Sequence, residues 1–152
     1  MKKLLGIVVL GLFWSSYANA ELKGIKEFYL EIWHEGSKCN GEKFNDEIKT
    51  SAKYIIGNSK IKLAKTMNAE YLKIYVLTGA SDDVCASSIE VSSYSVGYLK
   101  NYSGHQFVGD KISYSSKRIT GNSPPSAHKA TVISATETEL KEFVVAWNEA
   151  NQ

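Results

Sequence analysis

Residues 71–99 read YLKIYVLTGASDDVCASSIEVSSYSVGYL, and the way this stretch alternates decides what kind of fold the chain can adopt. In its first half Leu72, Ile74 and Val76 fall on one side of an extended backbone and Tyr71, Tyr75 and Leu77 on the other, the period-two signature of a strand. The cluster GASDD then supplies Gly and Asp, residues that turn a chain by tolerating unusual backbone angles and by local hydrogen bonding. A hairpin with four to six loop residues is expected there. The return strand carries Cys85, Ile89 and Val91 in one phase and Tyr94, Val96 and Tyr98 in the other. The change of phase predicts a β-bulge at Ser92 and Ser93, because one extra residue reverses which side faces the core.

Upstream, IKEFYLEIW at 25–33 alternates with Phe28, Leu30 and Ile32 together, a half-buried strand. After HEGSKCNG the period changes. Phe44, Ile48, Ala52 and Ile55 form the stripe of an amphipathic helix, with Asn40 as the expected N-cap and Gly57 and Asn58 as left-handed closing residues. KIKLAK at 60–65 reads as a short strand, and a last strand is expected over roughly 106–116 with Ile112 and Tyr114 in step. Ile133, Leu140, Phe143, Val144 and Trp147 mark a C-terminal helix. Its start is set either near Ser126 or at the capping-box pattern SATE, 134–137, and the earlier start is preferred. The order is β-α-β-β-β-β-α. Helices with one apolar face each must cover a sheet, so the fold class is α+β: a two-layer sandwich with a mainly antiparallel sheet of about five strands and both helices on one face.

The first twenty residues, MKKLLGIVVLGLFWSSYANA, have two lysines, an apolar run too short to span a bilayer and an Ala18-Asn19-Ala20 ending. They predict a signal peptide, a mature chain beginning at Glu21 and one domain over 21–152, located in the periplasm or secreted, with no stable membrane anchor. Removing Lys2 and Lys3 from the 18 basic residues leaves as many basic as acidic residues, of which there are 16. A zero mature charge argues against nucleic acid as a partner, since such binding rests on a basic field.

Two cysteines, Cys39 and Cys85, travel to an oxidising compartment under this reading, and a bridge between them is expected. The alternatives are a thiolate activated by His34 and a zinc site drawn from His34, Glu35, Cys39 and Cys85, although that spacing matches no structural-zinc pattern. Other catalytic signals are sparse. His105 and His128 read as loop histidines, and the glycines make neither a dinucleotide-binding nor a phosphate-binding loop. The serines form no nucleophile elbow, and Asp82 with Asp83 suits a turn. No metal and no cofactor is expected.

The uneven feature is aromatic. Tyr94, Tyr98 and Tyr102 share one parity, with Tyr71, Tyr75 and Tyr114 as candidate neighbours. Such a row is either core beneath the helices or a platform for a protein, peptide or glycan, since tyrosine joins large contact area to a polar tip. Two functions follow: a non-catalytic recognition or adaptor domain using an open sheet face or edge strand, or a small hydrolase or metal-assisted enzyme centred on His34 and Glu35. The order of elements, with a Cys before the first helix paired to one on a hairpin strand, resembles small exported bacterial α+β domains such as the N-terminal domain of the translocation protein TolB and outer-membrane lipoprotein-assembly modules. The resemblance implies an adaptor role with a partner in the cell envelope and supplies no catalytic residues.

Overall fold

In the computed structural model the described residues are 21–36, 39–41, 43–81, 84–100, 103, 106–121 and 123–152, and for 98–100, 106 and 107 the description covers the backbone alone. The leader-like segment 1–20, Asp82, Asp83, Tyr102 and His105 lie outside them. The elements are β1 (Glu27–Glu35), α1 (Phe44–Gly57), β2 (Lys62–Leu63), β3 (Glu70–Ser81), β4 (Val84–Lys100), β5 (Gln106–Ile119) and α2 (Pro125–Ala150), in the order expected. They build a five-stranded sheet of order β2-β1-β3-β4-β5. β3, β4 and β5 form an antiparallel meander. β1 lies parallel to both its neighbours, because α1 carries the chain back across the sheet before β2 and β3 begin, as parallel pairing requires.

The central hairpin is tighter than its sequence suggests. Ser81 pairs with Val84, so two residues, not four to six, join the strands; the ladder extends through Ala80 and Ser81, both small and exposed. The bulge also sits elsewhere. β4 pairs with β3 without interruption from Val84 to Ser95, and its alternation never slips: Cys85, Ser87, Ile89, Val91 and Ser93 are all buried. Serine supplies two of these core positions, and that disguises the period. The register shift lies between β4 and β5, where Ser93 faces Tyr114 but Tyr94 faces Ile112. The extra residue is Ser113 of β5, and it turns Ile112 and Tyr114 to opposite sides of the sheet instead of keeping them in step.

Both helices cover one face. Phe44, Ile48, Ala52 and Ile56 of α1 and Val132, Leu140, Phe143 and Trp147 of α2 meet Phe28 of β1, Leu72, Ile74 and Val76 of β3, and Ile89 and Val91 of β4 in one apolar cluster. Phe143 is central to it. Its ring packs edge-on to Phe28 at 5.5 Å and to Tyr114 at 5.2 Å between centroids, so the second helix grips β1 and β5 at once. Burying an aromatic or aliphatic side chain of this size contributes roughly 1.5–3 kcal/mol. α2 begins at Pro125, the earlier of the two expected starts; proline is tolerated there because the first-turn N–H has no helical acceptor. Its far end is tied to the chain start, with Trp147 Nε1 donating to the Ile25 carbonyl at 2.6 Å and the Asn151 amide donating to the Leu22 carbonyl at 3.1 Å.

The caps of α1 differ from expectation. Lys43 occupies the N-cap without a side-chain bond, and Asn58 closes the helix at φ −85°, not in the left-handed region. Asn40 is drawn inward, to 1 % exposure, by His34 and Thr78. Gly36 is the glycine the backbone demands: at φ +86° a Cβ there would lie 2.0 Å from the Thr78 carbonyl oxygen, so the chain leaving β1 can cross β3 only without a side chain.

Cys39 and Cys85 are joined, with Cα atoms 6.3 Å apart, which leaves neither as a thiolate or a zinc ligand. Cys85 also exchanges both backbone bonds with Ser123, N–H to carbonyl at 2.9 Å and carbonyl to N–H at 3.0 Å. One residue of β4 thereby holds the entries to both helices. The bridge spans 46 residues, for which chain entropy gives about 4 kcal/mol. Replacing both cysteines by alanine is expected to lower the melting temperature by about 10–15 °C at this chain size. A calorimetric shift below about 3 °C would contradict that stabilising role.

Candidate binding face

Strand alternation leaves the other face of the sheet to residues of opposite parity. Tyr29, Glu31, Trp33 and Glu35 of β1 stand in register with Tyr71, Lys73, Tyr75 and Leu77 of β3. Beyond them β3 pairs Tyr71 with Tyr94, Lys73 with Ser92 and Tyr75 with Glu90, and β4 pairs Tyr94 with Ile112. Tyr94 therefore lies on the face away from Phe44, Ile48, Leu140 and Trp147. Tyr98 pairs with Val108 in the ladder; its side chain and the whole of Tyr102 fall outside the described residues. Tyr114 belongs to the core, as its contact with Phe143 requires.

This face is aromatic and held in place by its own polar groups. The rings of Tyr71 and Tyr94 stack at 4.9 Å with planes 11° apart, and the Tyr71 hydroxyl donates to Asp110 Oδ2 at 2.6 Å. Burial first, and then the bond and charge of Asp110, push the Tyr71 phenol far above its ordinary value. It stays a donor at any physiological pH. Lys73 Nζ sits 5.1 Å from the Trp33 ring centre and 5.8 Å from that of Tyr75, cation–π distances. The Tyr75 phenol is also raised, by lost solvation and by its bond to Glu35. A shallow depression of about 190 Å³ is lined by Lys73, Tyr75, Glu90, Ser92 and Tyr94.

Around these polar anchors the face keeps large apolar side chains in solvent. Trp33 is 51 % exposed, Ile112 51 % and Ile119 75 %, and Leu77 and Val108 are also exposed. The sequence signals the first two strands' share of this face plainly. Ile112 and Ile119 are hidden from such a reading by the bulge, which puts them on a side that a continuous alternation would not assign.

His34 and Glu35, the pair on which an enzyme reading centres, point to opposite faces because they are consecutive strand residues. Glu35 bonds Tyr75 on the open face, whereas His34 turns inward against Phe44, ring centres 4.6 Å apart. Among the described residues no three His, Cys, Asp or Glu side chains gather as they would around a metal ion.

His34 instead begins a row of buried polar groups. Asn40 Nδ2 lies 3.0 Å from His34 Nε2 and donates to Thr78 Oγ1 at 2.8 Å. Thr78 Oγ1 and Ser87 Oγ are 2.7 Å apart, Ser87 Oγ is 2.7 Å from His128 Nε2, and His128 Nδ1 is 2.6 Å from Ser123 Oγ. His128 is not a loop residue. It is wholly buried in the first turns of α2, four residues before Val132 and eight before Thr136, and that spacing could have placed it on the inward stripe. Both its ring nitrogens face hydroxyls, which can donate or accept, so a neutral ring is satisfied in either tautomer. The closed row, with Ser87 2 % exposed, is a structural device rather than a hydrolytic dyad open to substrate.

No family profile and no curated protein sequence matches the chain. Among solved structures the chain is similar to a minor lipoprotein from Acinetobacter baumannii, with a TM-score of 0.36 and 10 % identity over 82 % of this chain and 95 % of that one. A superposition that loose assigns neither a shared fold nor a role. Among the described residues no helix is long and apolar enough to cross a membrane.

Burial lowers the affinity of both His34 and His128 for a proton. The unfolded chain, whose histidines titrate near 6.5, takes up protons first as the pH falls. Stability is therefore retained above that value and lost progressively below it. The melting temperature is expected to fall between about pH 7 and pH 5, and His128→Gln is expected to flatten that slope while costing about 1–3 kcal/mol at neutral pH. An unchanged slope in the variant, followed by circular dichroism, would remove His128 from this role.

Proposed function

We propose that the chain is an exported recognition or adaptor domain of the bacterial cell envelope, and that its open sheet face takes a protein, peptide or glycan partner. The observation that carries this reading is the contrast between the two faces. Leu72, Ile74 and Val76 of β3 and Ile89 and Val91 of β4 are sealed under two helices, whereas Trp33, Leu77, Ile112 and Ile119 on the other face remain in water. Exposed apolar patches of this kind, rimmed by charges, mark interaction surfaces.

Further support comes from the chemistry of the face. Tyr94 and Tyr71 form a rigid stacked pair whose orientation is set by Asp110, and rigid aromatics give contact area at small entropic cost. Tyr98 and Tyr102 share this parity in sequence. The leader-like first twenty residues and the balanced charge of residues 21–152 favour export over nucleic-acid work.

Site-specific photo-crosslinking in a producing bacterium tests the proposal. A crosslinking residue at Trp33 or Ile112 is expected to trap a discrete partner, and one at the exposed α2 position Thr138 to trap none. Trp33→Ala with Ile112→Ala is expected to weaken capture about tenfold or more, since buried aromatic anchors dominate interface energy, while changing stability by no more than about 1 kcal/mol. Equal adducts from both sides of the molecule would end this reading, as would undiminished capture by the double variant.

A further inference from the structure

β1 is an internal strand for only part of its length. β2 covers it at Glu27 and Phe28 and no further, so from Leu30 onward its outer edge has no strand beside it among the described residues. Which backbone groups point outward follows from the bonds that do form. The carbonyls of Lys26 and Phe28 accept from Lys62 and Ala64 at 3.0 and 2.9 Å, and in a parallel ladder a residue presents its N–H and carbonyl to the same neighbour. By alternation Leu30 and Ile32 present theirs to the same side, continuing the line that β2 abandons at Ala64.

This edge lies in a trough. One stretch, about 370 Å³, runs between β1 at 29–33 and the α1 side chains Asp46 and Lys49. The next, about 380 Å³, continues it past Leu30 to Ala64 and is lined by Lys49, Lys53 and Lys65 with no acidic residue. Leu30 and Ile32, only partly buried against the core, form its apolar floor. The trough thus offers three things to one ligand: two residues' worth of unpaired strand edge, an apolar floor beneath alternate positions, and three ammonium groups around the end nearest β2.

We propose that the β1 edge is a second binding site, distinct from the open face, that takes an extended acidic segment of a partner protein as an added strand in line with β2. The backbone of the guest pairs with Leu30 and Ile32. Its helix-side side chains rest on these two residues and, at the end nearest β2, are carboxylates that meet Lys49, Lys53 and Lys65, while those of the other parity point away from α1. Strand addition draws affinity from main-chain hydrogen bonds and selectivity from what lines the groove, and here the cations select acid. An unpaired edge is ordinarily a liability that proteins shorten or cover. At the opposite edge β5 carries Lys111, Lys117, Arg118 and the Ser113 bulge; β1 pairs with β3 in an uninterrupted register, and two of the three cations beside its edge, Lys49 and Lys53, stand on the neighbouring helix.

The test uses the disulfide-bonded protein and a fluorescent peptide of about six residues, Thr-Val-Thr-Glu-Thr-Glu, whose Val and Glu side chains share one face of an extended strand. Saturable binding is expected, weakened about tenfold or more by Lys49→Glu with Lys53→Glu or by exchanging the peptide's Glu for Lys, and weakened by added salt. Bound peptide is expected to slow amide exchange at Leu30 and Ile32 by about tenfold or more. Ile112→Ala, on the open face, is expected to leave the affinity unchanged, so the two surfaces stand or fall separately. The proposal is overturned if a normally melting protein shows no saturable binding up to about 1 mM. It is equally overturned if acidic and basic peptides bind alike, or if binding leaves the Leu30 and Ile32 amides untouched.

Discussion

Two helices can cover one face of a five-stranded sheet and no more, and every notable surface of this protein follows from that limit. α1 and α2 pack against each other and against the same side of β1, β3, β4 and β5, with Phe143 wedged between Phe28 and Tyr114. The opposite side has no second layer among the described residues, so its side chains are organised laterally instead. Tyr71 stacks on Tyr94 and bonds Asp110, and Lys73 lies over Trp33 and Tyr75. A face held rigid by its own neighbours is suited to meeting something else, since little order has to be imposed on it when a partner arrives.

The covered side has its own difficulty. Beyond the apolar cluster, toward the end where the disulfide lies, the layer between sheet and helices is built of Asn40, Thr78, Ser87, Thr120 and His128, all buried. Buried polar groups cost free energy unless each finds a partner. Here the hydroxyls and imidazoles satisfy one another in a line that Asn40 joins through its Nδ2 alone, its Oδ1 having no partner among the described residues, and the bridge from Cys39 to Cys85 keeps the line in register by fixing Asn40 beside Thr78. Ion pairs close the periphery: Arg118 of β5 reaches Glu139 and Glu142 of α2, and Lys129 of α2 reaches Glu47 of α1. Glu139 is the telling case, only 3 % exposed at its side chain; a carboxylate that deep is tolerated because its cation is bonded directly to it.

How much of this could be read from the residues depends on the range of the interaction concerned. Local alternation in 25–33 and 71–78 and the four-residue stripes of both helices placed the elements in order and set the helices on one side, and two cysteines behind a leader-like segment made a bridge the expected state. Those properties follow from backbone periodicity and from the number of thiols in the chain. The same alternation made Tyr71, Tyr75 and Tyr114 candidate neighbours of Tyr94 but left open whether the row was core or bare, and Tyr114 is packed against Phe143. What alternation could not resolve was any place where a small polar residue fills a core position. Ser87 and Ser93 broke the visible pattern of β4 and suggested a bulge there. Only pairing with β5 locates the extra residue at Ser113, because a bulge is a property of two strands and not of one.

The burial of His128 and Asn40 was likewise decided in three dimensions. Each is inside because a hydroxyl of a distant strand stands within 3 Å of one of its nitrogens, Thr78 of β3 for Asn40 and Ser87 of β4 for His128. The divergence of His34 from Glu35, by contrast, was implicit in the strand assignment, since adjacent residues of a strand cannot share a face. Which face stayed bare, and how far β2 runs beside β1, no stretch of sequence could state. Both depend on where two helices and a two-residue strand come to rest, and that is settled by the packing of Phe143, Ile48 and Leu72 against one another, not by the propensities of any one of them.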